Sequence, residues 1–258
     1  MNPIRSLLLT SLCVCSLLPP RAKGDEELSE GMQIPDKSSL LTILDTVDPA
    51  FPARLKDFGY PEGDVTFAVV VDQNGKLQDS FLIEASHLEF AEEVSKVLPL
   101  WSFTPPIIDG EPSSIASKIK VIFERGRGFL YESGGSNSLG NRIGKRSGSE
   151  SYQIYPLKEL DSIPIPRKIV EPSFHSQLLE GKEVVTAVFE FYIDEAGRVR
   201  IPTLRESAEE IDETLLVLAQ EALLQWEFEP PLKNGKPVAT LAAQPFRFAR
   251  EQAEGAAD

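Results

Sequence analysis

A twelve-residue block occurs twice in this chain of 258 residues, as Trp101-Ser-Phe-Thr-Pro-Pro-Ile-Ile-Asp-Gly-Glu-Pro112 and as Trp226-Glu-Phe-Glu-Pro-Pro-Leu-Lys-Asn-Gly-Lys-Pro237. Six positions are identical, and the copies lie 125 residues apart. Self-similarity at one offset means one supersecondary unit used twice. That limits the chain to a tandem architecture and points away from a single catalytic cleft.

The same grammar recurs upstream of each block. Val65, Phe67, Val69 and Val71 fall on one face of a strand with Thr66 and Ala68 opposite. Ala187, Phe189, Phe191 and Ile193 match them in the second copy, with Val188 and Glu190 opposite. Each strand runs into Asp-x-x-Gly (Asp72 to Gly75, Asp194 to Gly197), a hairpin turn in which Gly takes the positive φ. Return strands follow over 76–84 and 198–206. Ser86-His-Leu-Glu89 and Ser207-Ala-Glu-Glu210 then have the spacing of a capping box, which sets the helix starts there. Apolar residues continue at helical spacing, Phe90, Val94 and Val97 in one copy, Ile211, Leu215, Leu218 and Ala222 in the other.

From cap to Trp is 15 residues in the first copy and 19 in the second. The difference is about one turn of ~3.6 residues, so the second helix is expected to be a turn longer. Final strands are expected at Ser117 to Phe123 and Thr240 to Phe248, and a further helix after Pro52 (Leu55, Phe58) and after Pro172 (Phe174, Leu178). Each unit reads α-β-β-α-β, a small antiparallel sheet packed by helices, which makes the fold class α+β.

Residues 1–24 have the form of a secretory signal. Arg5 precedes a twelve-residue apolar run, Leu7 to Leu18, and Ala22-Lys-Gly24 supplies small residues for cleavage. A run that short, followed by Pro19-Pro20, does not reach the ~20 residues a bilayer requires. The expectation is an exported chain of periplasm or cell envelope, with no transmembrane helix once residues 1–24 are removed. Cys13 and Cys15 both lie in this segment, so the remainder is free of disulfide and thiol chemistry. The formal charge is −14, and losing Arg5, Arg21 and Lys23 takes it to −17. Such an acidic chain is not a nucleic-acid binder.

Between the units, Arg125 to Ser149 is rich in Gly and Ser and reads as a flexible linker, with a basic docking strip as the alternative. The tail from Glu251 reads as disordered. The division is therefore 1–24 signal, 45–124 first unit, 125–150 linker and 163–249 second unit.

The chemistry-bearing residues assemble into nothing. His87 and His175 are the only histidines, and each sits near a helix start without Cys partners. Gly144-Lys145 lacks the Gly and the Ser or Thr of a phosphate loop, because Leu139 and Arg146 stand there. Asp72-Gln-Asn-Gly75 lacks the later ligands of a calcium loop. The expectation is no enzyme, no cofactor and no metal. The Trp-x-Phe-x-Pro-Pro block has two readings, core filler at a helix-to-strand junction or an aromatic peptide groove.

A Pro-x-aromatic-Pro lead-in (Pro49-Ala-Phe-Pro52), a Gly-x-Val strand start (Gly63-Asp-Val65), the Asp-x-x-Gly hairpin and the helix ending in Trp-x-Phe-x-Pro together resemble the TonB C-terminal domain family. The resemblance covers about 45–124 and 163–249, and Leu160 to Pro166 is similar to that family's approach segment. It implies a periplasmic protein-binding module, tied to TonB-dependent transmembrane transport at the outer membrane. Such a module pairs its last strand with an extended peptide or outer-membrane receptor segment by strand addition.

Carried over by position, the partner-binding edge strand is Lys118, Ile119, Lys120, Val121, Ile122 and Phe123. Ile119, Val121 and Phe123 would face the core, with Lys118, Lys120 and Ile122 on the other face. Pro245 makes the second copy the poorer template. In that copy Val170-Glu-Pro172 stands where the aromatic-Pro pair belongs. The uncleaved membrane helix and Pro-rich spacer of the family's energy transducers are absent from the sequence given. The alternative is a structural cell-envelope scaffold whose two units pack together and hide their edges.

Overall fold

The computed structural model describes residues 41–133 and 151–249, apart from 109, 127, 208 and 209. The signal segment 1–24, residues 134–150 of the expected linker and the tail 251–258 lie outside the described residues. The elements of the first half are β1 (Ile43–Asp45), α1 (Ala53–Asp57), β2 (Glu62–Val71), β3 (Leu77–Ala85), α2 (Leu88–Val97), β4 (Ser102–Phe103), β5 (Ile107–Ile108), β6 (Glu111–Pro112), β7 (Ile115–Glu124) and β8 (Gly128–Ser133). A connecting stretch carries β9 (Tyr152–Gln153) and β10 (Tyr155–Pro156). The second half follows as β11 (Pro166–Lys168), β12 (Val184–Ile193), β13 (Val199–Ser207), α3 (Glu213–Leu223), β14 (Glu227–Phe228), β15 (Leu232–Lys233), β16 (Lys236–Pro237) and β17 (Thr240–Ala249). The chain is α+β.

Two main sheets carry the fold, ordered β8-β7-β2-β3-β9 and β10-β17-β12-β13. Each begins with a hairpin closed by the Asp-x-x-Gly turn. Asp72 Oδ1 accepts from the amides of Asn74 and Lys76, both at 2.9 Å, and Asp194 Oδ1 accepts from those of Ala196 and Arg198, both at 2.9 Å. Gly75 and Gly197 sit at φ +76° and +83°. Their carbonyls accept from the amides of Phe103 (3.0 Å) and Phe228 (2.7 Å), which docks each hairpin against the Trp-x-Phe block. A Cβ at either glycine would lie 2.1 Å from the Phe103 or Phe228 carbonyl oxygen, so sterics and φ both require Gly.

The helices start later than the capping-box spacing predicts. His87 is the N-cap of α2, its Nδ1 accepting from the Glu89 amide at 3.2 Å. The Ser86 hydroxyl is engaged instead with the sheet, accepting from the Asp64 amide (2.8 Å) and donating to the Asp64 carbonyl (3.0 Å). Asp212 caps α3 by accepting from the Thr214 amide at 2.7 Å, while Ser207 ends β13. Counted from these caps, Trp101 and Trp226 each follow after fourteen positions, and the four extra residues of the second copy fall in the strand-to-helix connection. The helix after Pro52 forms as α1 and buries Leu55, whereas Phe58 is 70% exposed. After Pro172 only a short 3-10 turn forms, Ser176–Leu179, burying Leu179.

One face of each sheet is covered by its own helix. Val65, Phe67, Val69 and Val71 pack with Phe90 and Val94 of α2, and Ala187, Phe189, Phe191 and Ile193 pack with Leu215 and Ala219 of α3. The other faces meet each other. Ala68, Phe81 and Ile83 form a third buried cluster with Tyr192, Ile201 and Ala239, and the Phe81 and Tyr192 rings lie 5.3 Å apart. Residues 152–156 stitch the two sheets together. β9 pairs antiparallel with the end of β3, and β10 pairs parallel with the start of β17. The Tyr152 hydroxyl donates to Glu195 Oε1 at 2.7 Å. Burial pushes that hydroxyl well above the ordinary tyrosine range, and the Glu195 carboxylate adds to the effect. In the described structure the two units form one packed body through this shared core.

Candidate binding strand and sheet edges

β7 holds the residues that strand addition would use. Ile119, Val121 and Phe123 are buried beneath α2, while Lys118 is exposed and Lys120 and Ile122 are half-buried on the other face. Lys120 Nζ lies 3.0 Å from Asp64 Oδ2 across the neighbouring strand. These facings follow the period of two read from the sequence.

The expected open edge is closed. β2 pairs along one flank of β7 from Glu62↔Glu124 to Val71↔Ile115, and β8 pairs along the other from Ile119↔Ser133 to Glu124↔Gly128. Among the described residues β8 supplies partners for Ile119 to Phe123. Gly126, at φ +83°, turns the chain back, and the Phe129-Leu130-Tyr131 run that follows favours extended backbone. That signal sat inside a stretch whose Gly and Ser content reads as linker. Among the described residues β8 is flanked on one side only, and Leu130 and Tyr131 are 59% and 44% exposed.

The last strand of the second unit differs. β12 covers one flank of β17 throughout, whereas β10 covers only Thr240 and Leu241 on the other. The Ala239 carbonyl accepts from the Tyr155 amide at 2.9 Å, so alternation along the strand turns the main-chain groups of Pro245 outward as well. Proline offers no amide there, and its carbonyl accepts from Gln244 Nε2 at 3.0 Å. Gln244 holds the place that Ile119 holds in the first copy, seven residues beyond the closing Pro of the block, and is 3% exposed. The sequence reading found the proline and missed the glutamine.

The indoles of the repeated block are core. Trp101 and Trp226 are 3% and 4% exposed, and their Nε1 groups donate to the carbonyls of Val47 (2.9 Å) and Val170 (2.8 Å). Neither ring is presented to solvent. Those two carbonyls also align the lead-in segments, Val47-Asp-Pro49-Ala-Phe51 with Val170-Glu-Pro172-Ser-Phe174. Phe51 meets Phe123 edge-on at 6.2 Å and 88°, and Phe174 meets Phe248 at 5.4 Å and 84°. The aromatic expected to be missing from the second lead-in is therefore Phe174, two residues past Pro172. Asn234 and Gly235, both at positive φ, form a tight turn between β15 and β16 that the sequence reading overlooked. Asp161 accepts from both of their amides at 2.8 Å, and these bonds hold its carboxyl below the usual range.

Amide donation, foremost from Lys76, holds the Asp72 carboxyl below its ordinary range, and burial pushes the Tyr192 hydroxyl up. Among the described residues there is no cluster of three or more metal-ligating side chains, and no helix is long and apolar enough to cross a membrane.

Residues 47–124 match the family model described as Gram-negative bacterial TonB protein C-terminal. The match runs from the carbonyl that binds the Trp101 indole to the last residue of β7, and it stops before β8. The chain matches no curated protein.

Proposed function

We propose, from a first unit that belongs to the TonB C-terminal family, that this chain is an exported, non-enzymatic protein-binding module of the cell envelope. It docks an extended segment of an outer-membrane receptor by strand addition in TonB-dependent transport, and the second unit is a further copy of the same domain. The family match over residues 47–124 carries this reading. The matched indole, hairpin and lead-in geometry of the second unit supports the duplication.

Docking at Lys118 to Phe123 follows displacement of β8, because β8 holds the flank an added strand needs. β8 is suited to yield: it is six residues long, enters through a glycine turn and, among the described residues, is paired on one side only. A second reading, a structural scaffold, draws on the shared core between the units, since units that bury a face on each other do not require a partner.

Site-specific photo-crosslinking in intact envelopes separates the two. A photoreactive residue at Lys118 or Leu130 should give adducts with an outer-membrane receptor, in higher yield from Lys118 once residues 128–133 are deleted. No receptor adduct from Lys118, with β8 present or deleted, and none from Leu130 in the full chain, contradicts docking and leaves the scaffold.

A further inference from the structure

A strand at the border of a sheet presents unpaired amides and carbonyls to any other chain, and proteins blunt such edges. β3 is nine residues long, yet β9 pairs only with Glu84 and Ala85. No strand among the described residues borders Leu77 to Phe81 on that side.

In the middle of this run, side chains occupy both main-chain groups of Ser80. Its amide donates to Asp79 Oδ1 at 2.8 Å, and its carbonyl accepts from Arg200 Nη2 at 3.0 Å. An amide given to the adjacent carboxylate is not given to β2, and the two groups of one strand residue point the same way. Both groups therefore lie on the outer side, where an added strand would bind.

Arg200 comes from the other unit. Its Nε donates to Asp79 Oδ2 at 3.3 Å, its Nη2 also meets Asp79 Oδ1, and its guanidinium carbon lies 5.4 Å from the Phe81 ring centroid. The arginine that takes the Ser80 carbonyl thus also holds the carboxylate that takes the Ser80 amide.

The same device recurs where other strands border the sheets. On β17 Pro245 lacks an amide and Gln244 takes its carbonyl. On β13 Pro202 lacks an amide and its carbonyl accepts from Gln220 Nε2 at 3.1 Å. In each case a side chain occupies the main chain in the middle of the strand.

We propose that Arg200, with Asp79, is an edge plug that closes the outer side of β3 against a second copy of this chain. A two-fold axis brings one copy of an edge against the same edge of another, so each copy carries both halves of the unwanted pair. The formal charge of −14 adds long-range repulsion, which salt screens, whereas the plug acts at contact.

The test compares Arg200→Ala and Asp79→Ala with Arg198→Ala. The control removes the same charge two residues away, from a side chain that is 69% exposed and paired with Asp194. Sedimentation velocity over a concentration series, in salt sufficient to screen the net charge, reads association, and hydrogen exchange locates it. Both plug variants should dimerise at least about tenfold more tightly than wild type and Arg198→Ala, with new amide protection confined to residues 77–81. Folded variants that keep the wild-type state overturn the proposal. Equal association by Arg198→Ala, or protection that falls elsewhere, overturns it too. Should Arg200→Ala not fold, Asp79→Ala decides alone, because it frees the Ser80 amide while leaving the Arg200 stacking on Phe81.

Discussion

Replacing Trp101 or Trp226 with Ala is expected to destabilise the protein by about 3–5 kcal/mol, the usual cost of emptying a large aromatic site. Each ring is almost fully buried, and each indole N–H satisfies a carbonyl of the lead-in segment, Val47 or Val170. Truncation leaves both a cavity and an unpaired carbonyl, and each carries its own cost. Phe at either position should recover part of the loss by filling the cavity without supplying the donor. Denaturant unfolding followed by circular dichroism measures both effects. A Trp→Ala variant with a wild-type midpoint would show that the ring is not core.

Phe81→Ala should cost a similar amount, about 3–5 kcal/mol, for a different reason. Its ring faces away from α2 and packs against Tyr192 in the core shared by the two sheets. Loss of the ring should therefore weaken both units. The two indoles separate the responses: in a Trp226→Phe background the fluorescence reports on the first unit, and in a Trp101→Phe background on the second. Phe81→Ala should lower both midpoints. A fall confined to the first unit would mean that the units do not stabilise each other through this face.

Much of this arrangement is legible in the residues. The alternation of Val65 to Val71 and Ala187 to Ile193 gives the helix-facing sides, Asp-x-x-Gly gives the hairpins, and Trp-x-Phe marks the helix ends. The helix caps are not legible from spacing, because the Ser86 hydroxyl has a competing partner in the Asp64 main chain and only the folded sheet brings that partner near. The shared core is hidden because Ala68, Phe81 and Ile83 look like the solvent side of a two-layer unit until the second sheet covers them. β8 is masked by composition: Gly126, Gly128 and the serines beyond outweigh a three-residue apolar run in a window long enough to register a linker. The edge plugs rest on single contacts between distant residues, Arg200 on Ser80 and Gln220 on Pro202, and no local pattern encodes them.

Docking by strand addition makes β8 an exchangeable cover on the strand a partner would pair with. Native-state hydrogen exchange of the resting protein tests it without the partner. Amides bonded between β7 and β8 should exchange through a local opening well below the global unfolding free energy, while those bonded between β2 and β7 exchange only at the global limit. A single opening energy for both sets would make β8 an integral part of the core and contradict docking by its displacement.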